Sequence, residues 1–155
     1  MGRAGRSGLP DGFFHVVCRG VFGARIYLDD VDRTRFVARL WRCADAYGWA
    51  CQTFCLMSTH YHLVVESTAV NLARGLQQLN GRHALSFNAR HRRYGHLFAE
   101  RYSVRVIEHE EYLYEACSYV LLNPVKAGLC DRTEDWPWSY SRFEDDASAV
   151  RAAST

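Results

Sequence analysis

Two histidines one residue apart, His60 and His62, open the run "HYHLVVES" (60–67). Side chains alternate along a strand, so both imidazoles leave the same face, about 7 Å apart. Two neutral imidazoles so placed can clasp one divalent cation, and they equally suit the polar edge of a hairpin. A second constellation lies in "SYVLLNPVKAGL" (118–129), where Tyr119 and Asn123 are four residues apart and share a helix face. An amide oxygen is a suitable hard ligand for magnesium or manganese. A phenol one turn earlier would then stand beside a charge-neutralised phosphate and could attack it. The alternative is a tyrosine packed on a sheet and an asparagine capping its helix.

These residues need elements to hold them. "FFHVVCRG" (13–20) is β-branched and aromatic and ends in glycine, which predicts a strand. "DDVDRTRFVARLWRCADAYG" (29–48) starts on aspartates and ends on glycine, with Val31, Phe36, Val37, Leu40 and Ala44 at helical spacing. Strands follow over 49–57 and 60–67, with Tyr61, Leu63 and Val65 on the face opposite the histidines. A helix over 71–91 turns Leu72, Leu76, Leu79 and Leu85 inward, interrupted by Gly75 and Gly81. A strand over 101–108 and a helix over 110–123 complete the pattern, Pro124 ending the helix. The order β-α-β-β-α-β plus a helix predicts an α+β, ferredoxin-like (split βαβ) fold. Its antiparallel sheet would carry two helices on one face and the C-terminal, tyrosine-bearing helix on the other, with the first and third strands central.

The chain of 155 residues suits one domain with a real core. Residues 1–11 read as a flexible lead, 12–143 as the domain and 144–155 as a disordered tail. Net charge is only +2, but its distribution is uneven. Residues 81–105 carry Arg82, Arg90, Arg92, Arg93, Arg101 and Arg105 against Glu100 alone, and acids dominate 131–146. A basic segment offset by an acidic one can bind phosphates locally. Six cysteines without a CxxC pair read as buried free thiols. "MGRAGRSGLP" has no apolar core and no run is long enough to cross a membrane, so a cytoplasmic location is expected.

"LMSTHYHLVVE", "GHLFAERY", "EYLYEACSYVLLNPVKAGL" and "DWPWSY", in this order, resemble the single-tyrosine HUH transposase family. The similarity runs from about Phe13 to Phe143 and points to the REP-associated tyrosine transposase-like branch, relatives of insertion-sequence transposases. Ser58-Thr59 stands where the family usually has Pro-Asn, and Val21 follows Arg19-Gly20 where an asparagine is usual. The resemblance implies that His60, His62 and Asn123 bind magnesium or manganese. It implies that Tyr119 attacks single-stranded DNA, keeps the 5′-phosphate and releases a 3′-hydroxyl.

The segment "RHRRYGHLFAERY" (90–102) interleaves Arg90, Arg92, Arg93 and Arg101 with Tyr94, Phe98 and Tyr102. Arginines answer phosphates and aromatics stack on unpaired bases, although a solvated basic loop would look the same. Arg19, on one strand face with His15, and Lys126, just past the helix, are further DNA-binding candidates. The expected partner is single-stranded or hairpin DNA, bound by a monomer or homodimer. The rivals are a non-catalytic nucleic-acid-binding protein of the same fold and a metal hydrolase that would not need Tyr119.

Overall fold

The computed structural model describes residues 11–143. The elements are β1 (Gly12–Arg19), α1 (Asp30–Tyr47), β2 (Ala50–Leu56), β3 (His60–Ser67), α2 (Ala69–His91), β4 (Ser103–Ile107), α3 (Glu110–Lys126) and β5 (Ser139–Ser141). The strands form one antiparallel sheet in the order β4-β1-β3-β2-β5. β1 and β3 are central, and the ferredoxin-like arrangement is the one the element order predicts.

Alternation along the central strands builds two cores, one on each face of the sheet. Phe14 and Val16 of β1 and Tyr61, Leu63 and Val65 of β3 pack with Phe36 and Leu40 of α1 and Leu76 and Leu79 of α2. On the other face Cys55, Met57 and Val64 meet Leu113, Cys117 and Val120 of α3. None of the six cysteines is in a disulfide, and Cys18, Cys43, Cys55 and Cys117 are buried. No helix among the described residues is long and apolar enough to cross a membrane.

Several expectations need correction. α3 runs through Pro124 to Lys126 instead of stopping before it. Proline brings no N–H to the Val120 carbonyl. The Asn123 amide nitrogen compensates, donating to the Tyr119 carbonyl at 2.9 Å and the Val120 carbonyl at 3.4 Å. A fifth strand beyond the four expected, β5, pairs with β2; three residues are too few to show an alternation. Leu85 and Val31 are exposed, and His83, at 2% exposure, takes a core position on α2 instead. The expected lead and tail fall outside the described residues except for Asp11, whose carboxylate accepts from the Ala69 amide at 3.0 Å at the start of α2.

The two glycines inside α2 have different causes. A methyl on Gly75 would overlap the Trp49 ring, and that ring is fixed by its Nε1 donating to the Asn71 carbonyl at 3.1 Å. Gly81 faces open space. Gly75→Ala should therefore lower stability by about 1–3 kcal/mol through overpacking. Gly81→Ala should raise it by about 0.5–1 kcal/mol through helix propensity. Urea unfolding of the two variants measures both signs.

Candidate active site

Register in the sheet decides what surrounds the histidine pair. β1 and β3 run antiparallel with Arg19 opposite His60 and Val17 opposite His62. His15, Val17 and Arg19 therefore share a face with His60 and His62. β4 adds Arg105 directly opposite His15. α3 crosses this face and, with β1 and β4, encloses a cleft of about 680 Å³ whose lining includes His15, Arg19, His62, Arg105, Tyr112 and Tyr119.

Two imidazoles, His15 and His62, meet the Tyr119 phenol there, and His60 adjoins His62. The rings of His60 and His62 are 5.2 Å apart, and the Tyr119 ring lies 6.0 Å from both His62 and His15. His15 Nε2 and His62 Nδ1 share a hydrogen bond of 3.1 Å. The Thr59 hydroxyl meets His60 Nδ1, also at 3.1 Å. Both Nδ1 atoms of the pair thus have partners within the protein. The departure from Pro-Asn at Ser58-Thr59 supplies one of those partners.

Electrostatics keep the cluster neutral. Burial pushes the His62 imidazole down to about 3, helped by the charges of His15, His60 and Arg19. Burial also lowers His60, aided by Arg19, and His15, aided by Arg105. Neutral imidazoles carry the lone pairs that a metal requires. Among the described residues, no group of three or more His, Cys, Asp or Glu side chains is arranged to hold a metal ion. By donor chemistry, two imidazoles and an amide oxygen would suit a hard divalent cation, and the Asn123 amide, one turn after Tyr119, has its nitrogen engaged by the α3 carbonyls of Tyr119 and Val120.

The chain matches the family model of the IS200-like transposases over residues 13–122. It belongs to that family. No curated protein matches it. The solved structure of a REP-associated tyrosine transposase bound to a REP hairpin superposes on this transposase with a TM-score of 0.70 at 12% identity, covering 90% of this chain and 81% of that one. A proposed transposase from Deinococcus radiodurans gives a TM-score of 0.52 at 16% identity, covering 72% and 90% of the two chains. Both show a shared fold.

The transposase fold gathers some of the candidate residues and separates others. Tyr119, 47% exposed, lies with the histidines, and the Lys126 ammonium stands 5.0 Å from its ring centre. Arg19 lines the same cleft. Arg101 and Arg92 are exposed outside it, before β4 and at the end of α2. Arg90 is in the α1–α2 layer, paired with Asp29 at 2.6 Å and Asp32 at 2.9 Å. Arg93 ties down its own loop, donating to Asn88 and to the carbonyls of Gly95 and His96. Phe98 packs on Tyr61 and His83, leaving Tyr94, 93% exposed, as the free aromatic of that segment. Arg105 was not singled out from the sequence as a site residue; alternation of "SVRVI" marks its face, but only the β1–β4 register brings it beside His15.

Proposed function

We propose that this transposase nicks and rejoins single-stranded DNA, with Tyr119 as the nucleophile and His60, His62 and Asn123 as the holders of a magnesium or manganese ion. The observation that carries the reading is the convergence of a half-exposed phenol on an imidazole cluster whose inner nitrogens are already satisfied. A bound ion would supply Lewis-acid polarisation of the scissile phosphate.

The protein's own residues perform the rest. In the tautomer in which His62 Nδ1 carries the proton, its hydrogen bond to His15 Nε2 fixes the ring and leaves the His62 Nε2 lone pair for a ligand. Arg19, Arg105 and Lys126 bring cations around the cleft where a DNA phosphate would lie. The Tyr119 oxygen attacks phosphorus and loses its proton as the new bond forms. The P–O3′ bond breaks, and the departing 3′ oxygen takes up a proton to become a hydroxyl. One phosphoester replaces another, so a later 3′-hydroxyl can reverse the step. Arg92 and Arg101 supply further phosphate contacts, whereas the charges of Arg90 and Arg93 serve the fold first.

The hairpin in the related structure makes a hairpin with a single-stranded flank the substrate to use. Incubated with such DNA and manganese, the protein should yield a denaturation-resistant protein–DNA complex, with a free 3′-hydroxyl on the other fragment. Cleavage that leaves no covalent complex would favour a hydrolase. Binding without cleavage would favour a non-catalytic binding protein.

A further inference from the structure

Phe22 breaks two rules of a stable surface at once. Its side chain is fully exposed, at 103% of the reference area. Its backbone is left-handed, with φ 51° and ψ 35°. A bulky residue rarely adopts that region, and the cost persists only when surrounding structure enforces it. Among the described residues, no apolar contact repays either feature.

The surroundings do enforce it. The turn Val21–Gly23 is pinned on every side by backbone hydrogen bonds. Val21 N donates to the Leu97 carbonyl at 2.8 Å and Ala24 N to the Val21 carbonyl at 2.9 Å. Gly20 has no room for a side chain, because a Cβ there would collide with the Ala24 carbonyl. The ring is thus held outward by a rigid frame. Pre-organised exposure of this kind lowers the entropy lost when the ring meets a ligand.

The frame also fixes where the ring stands. Gly20 N donates to the Thr59 carbonyl at 2.8 Å and Ile26 N to the Ser58 carbonyl at 2.9 Å. Ser58 and Thr59 form the turn that leads directly into His60. On its other side the frame joins the segment carrying Tyr94, through the Val21–Leu97 bond and a bridge between Gly20 and Phe98. Arg19, on the cleft, stands two residues before Val21, the first residue of the turn.

We propose that Phe22 is a stacking site for an unpaired nucleobase, positioned to take a base flanking the phosphate held at the histidine cluster. This deepens the single-strand DNA reading and rests on it. A planar, uncharged ring three residues along the chain from Arg19 of the cleft suits a base whose attached phosphate lies nearer the cleft. Base pairs inside a duplex keep their faces covered, so the ligand is a single strand or the unpaired flank of a hairpin.

The test uses fluorescence anisotropy with a labelled single-stranded oligonucleotide and with a blunt duplex, in a Tyr119→Phe background so that cleavage plays no part. Phe22→Ala should weaken single-strand binding about 5- to 150-fold, the range for loss of one base–aromatic stack. Phe22→Leu should fall with alanine, and Phe22→Tyr and Phe22→Trp should stay near the parent. Duplex binding should change little. Phe22→Gly should also lose single-strand affinity while raising Tm, since glycine relieves the left-handed backbone. Unchanged single-strand affinity in Phe22→Ala, or full rescue by leucine, would overturn the stacking site. So would an equal loss on duplex. A fall in oligomeric mass of Phe22→Ala on sedimentation would assign the ring to a contact between copies of the chain and overturn it too. Failure of the unsubstituted protein to form a covalent complex would count against Tyr119 chemistry and leave this binding result standing by itself.

Discussion

A Tyr119→Phe chain is expected to bind DNA and to form no covalent complex, while Tyr112→Phe and Tyr114→Phe still form it. Helix α3 offers three tyrosines with similar exposure, 50% for Tyr112, 59% for Tyr114 and 47% for Tyr119, so accessibility does not choose among them. Geometry does. Tyr114 lies about 140° around the helix from Tyr119, and its ring packs on Phe143 at 4.9 Å. Tyr112 lines the same cleft as Tyr119 but sits about 10 Å away along the axis. Its ring contact is His109, at 5.8 Å, whereas Tyr119 contacts both His15 and His62. Four residues after Tyr112 comes Ala116, which has no ligand atom; four after Tyr119 comes Asn123. The Tyr119→Phe variant keeps the ring that packs on the imidazoles, so its fold and DNA affinity should survive. Peptide mapping of the trapped complex checks the assignment. A nucleotide on Tyr112 or Tyr114, or a robust adduct from Tyr119→Phe, would refute it.

The second large effect concerns the imidazoles. His60→Ala and His62→Ala should each reduce cleavage to background and abolish measurable manganese binding by calorimetry, with DNA still bound. His15→Ala should act at one remove. Loss of an outer hydrogen-bond partner of a metal ligand typically costs about 10–100-fold in affinity. Manganese affinity should therefore fall by about that factor, and excess metal should restore much of the cleavage. That rescue separates an orienting residue from a ligand. Cleavage by the His60→Ala, His62→Ala double variant, or cleavage undiminished in chelator, would dismiss the metal from the reaction.

The residues that could be read from the sequence were those whose geometry is local. Alternation along one strand put His60 and His62 on one face and Tyr61, Leu63 and Val65 on the other. Helical spacing paired Tyr119 with Asn123. What needed long-range register stayed hidden. The bond from His15 to His62 depends on how β1 slides against β3, forty-seven residues away in sequence. Arg90 looks like any free arginine until α2 is docked on α1, when Asp29 and Asp32 claim it. Pro124 stops a helix in isolation; here a side-chain amide replaces the hydrogen bond that proline removes. Phe22 lies outside every periodic pattern, and only its backbone angle and exposure distinguish it.

The sheet divides the apolar interior unequally. The layer under α1 and α2 is broad, whereas α3 is anchored chiefly through Leu113, Cys117 and Val120 against Cys55, Met57 and Val64. A DNA end linked to Tyr119 would pull on the lighter layer. Regions with fewer buried apolar contacts open at lower free energy than the whole molecule. Under the proposed chemistry α3 would therefore yield under load before β3, which is braced by Tyr61, Leu63 and Val65 from behind and holds His60 and His62 in register. The mechanical division of the molecule would then follow the proposed chemical one: a firm anvil of imidazoles, and a more compliant jaw bearing Tyr119.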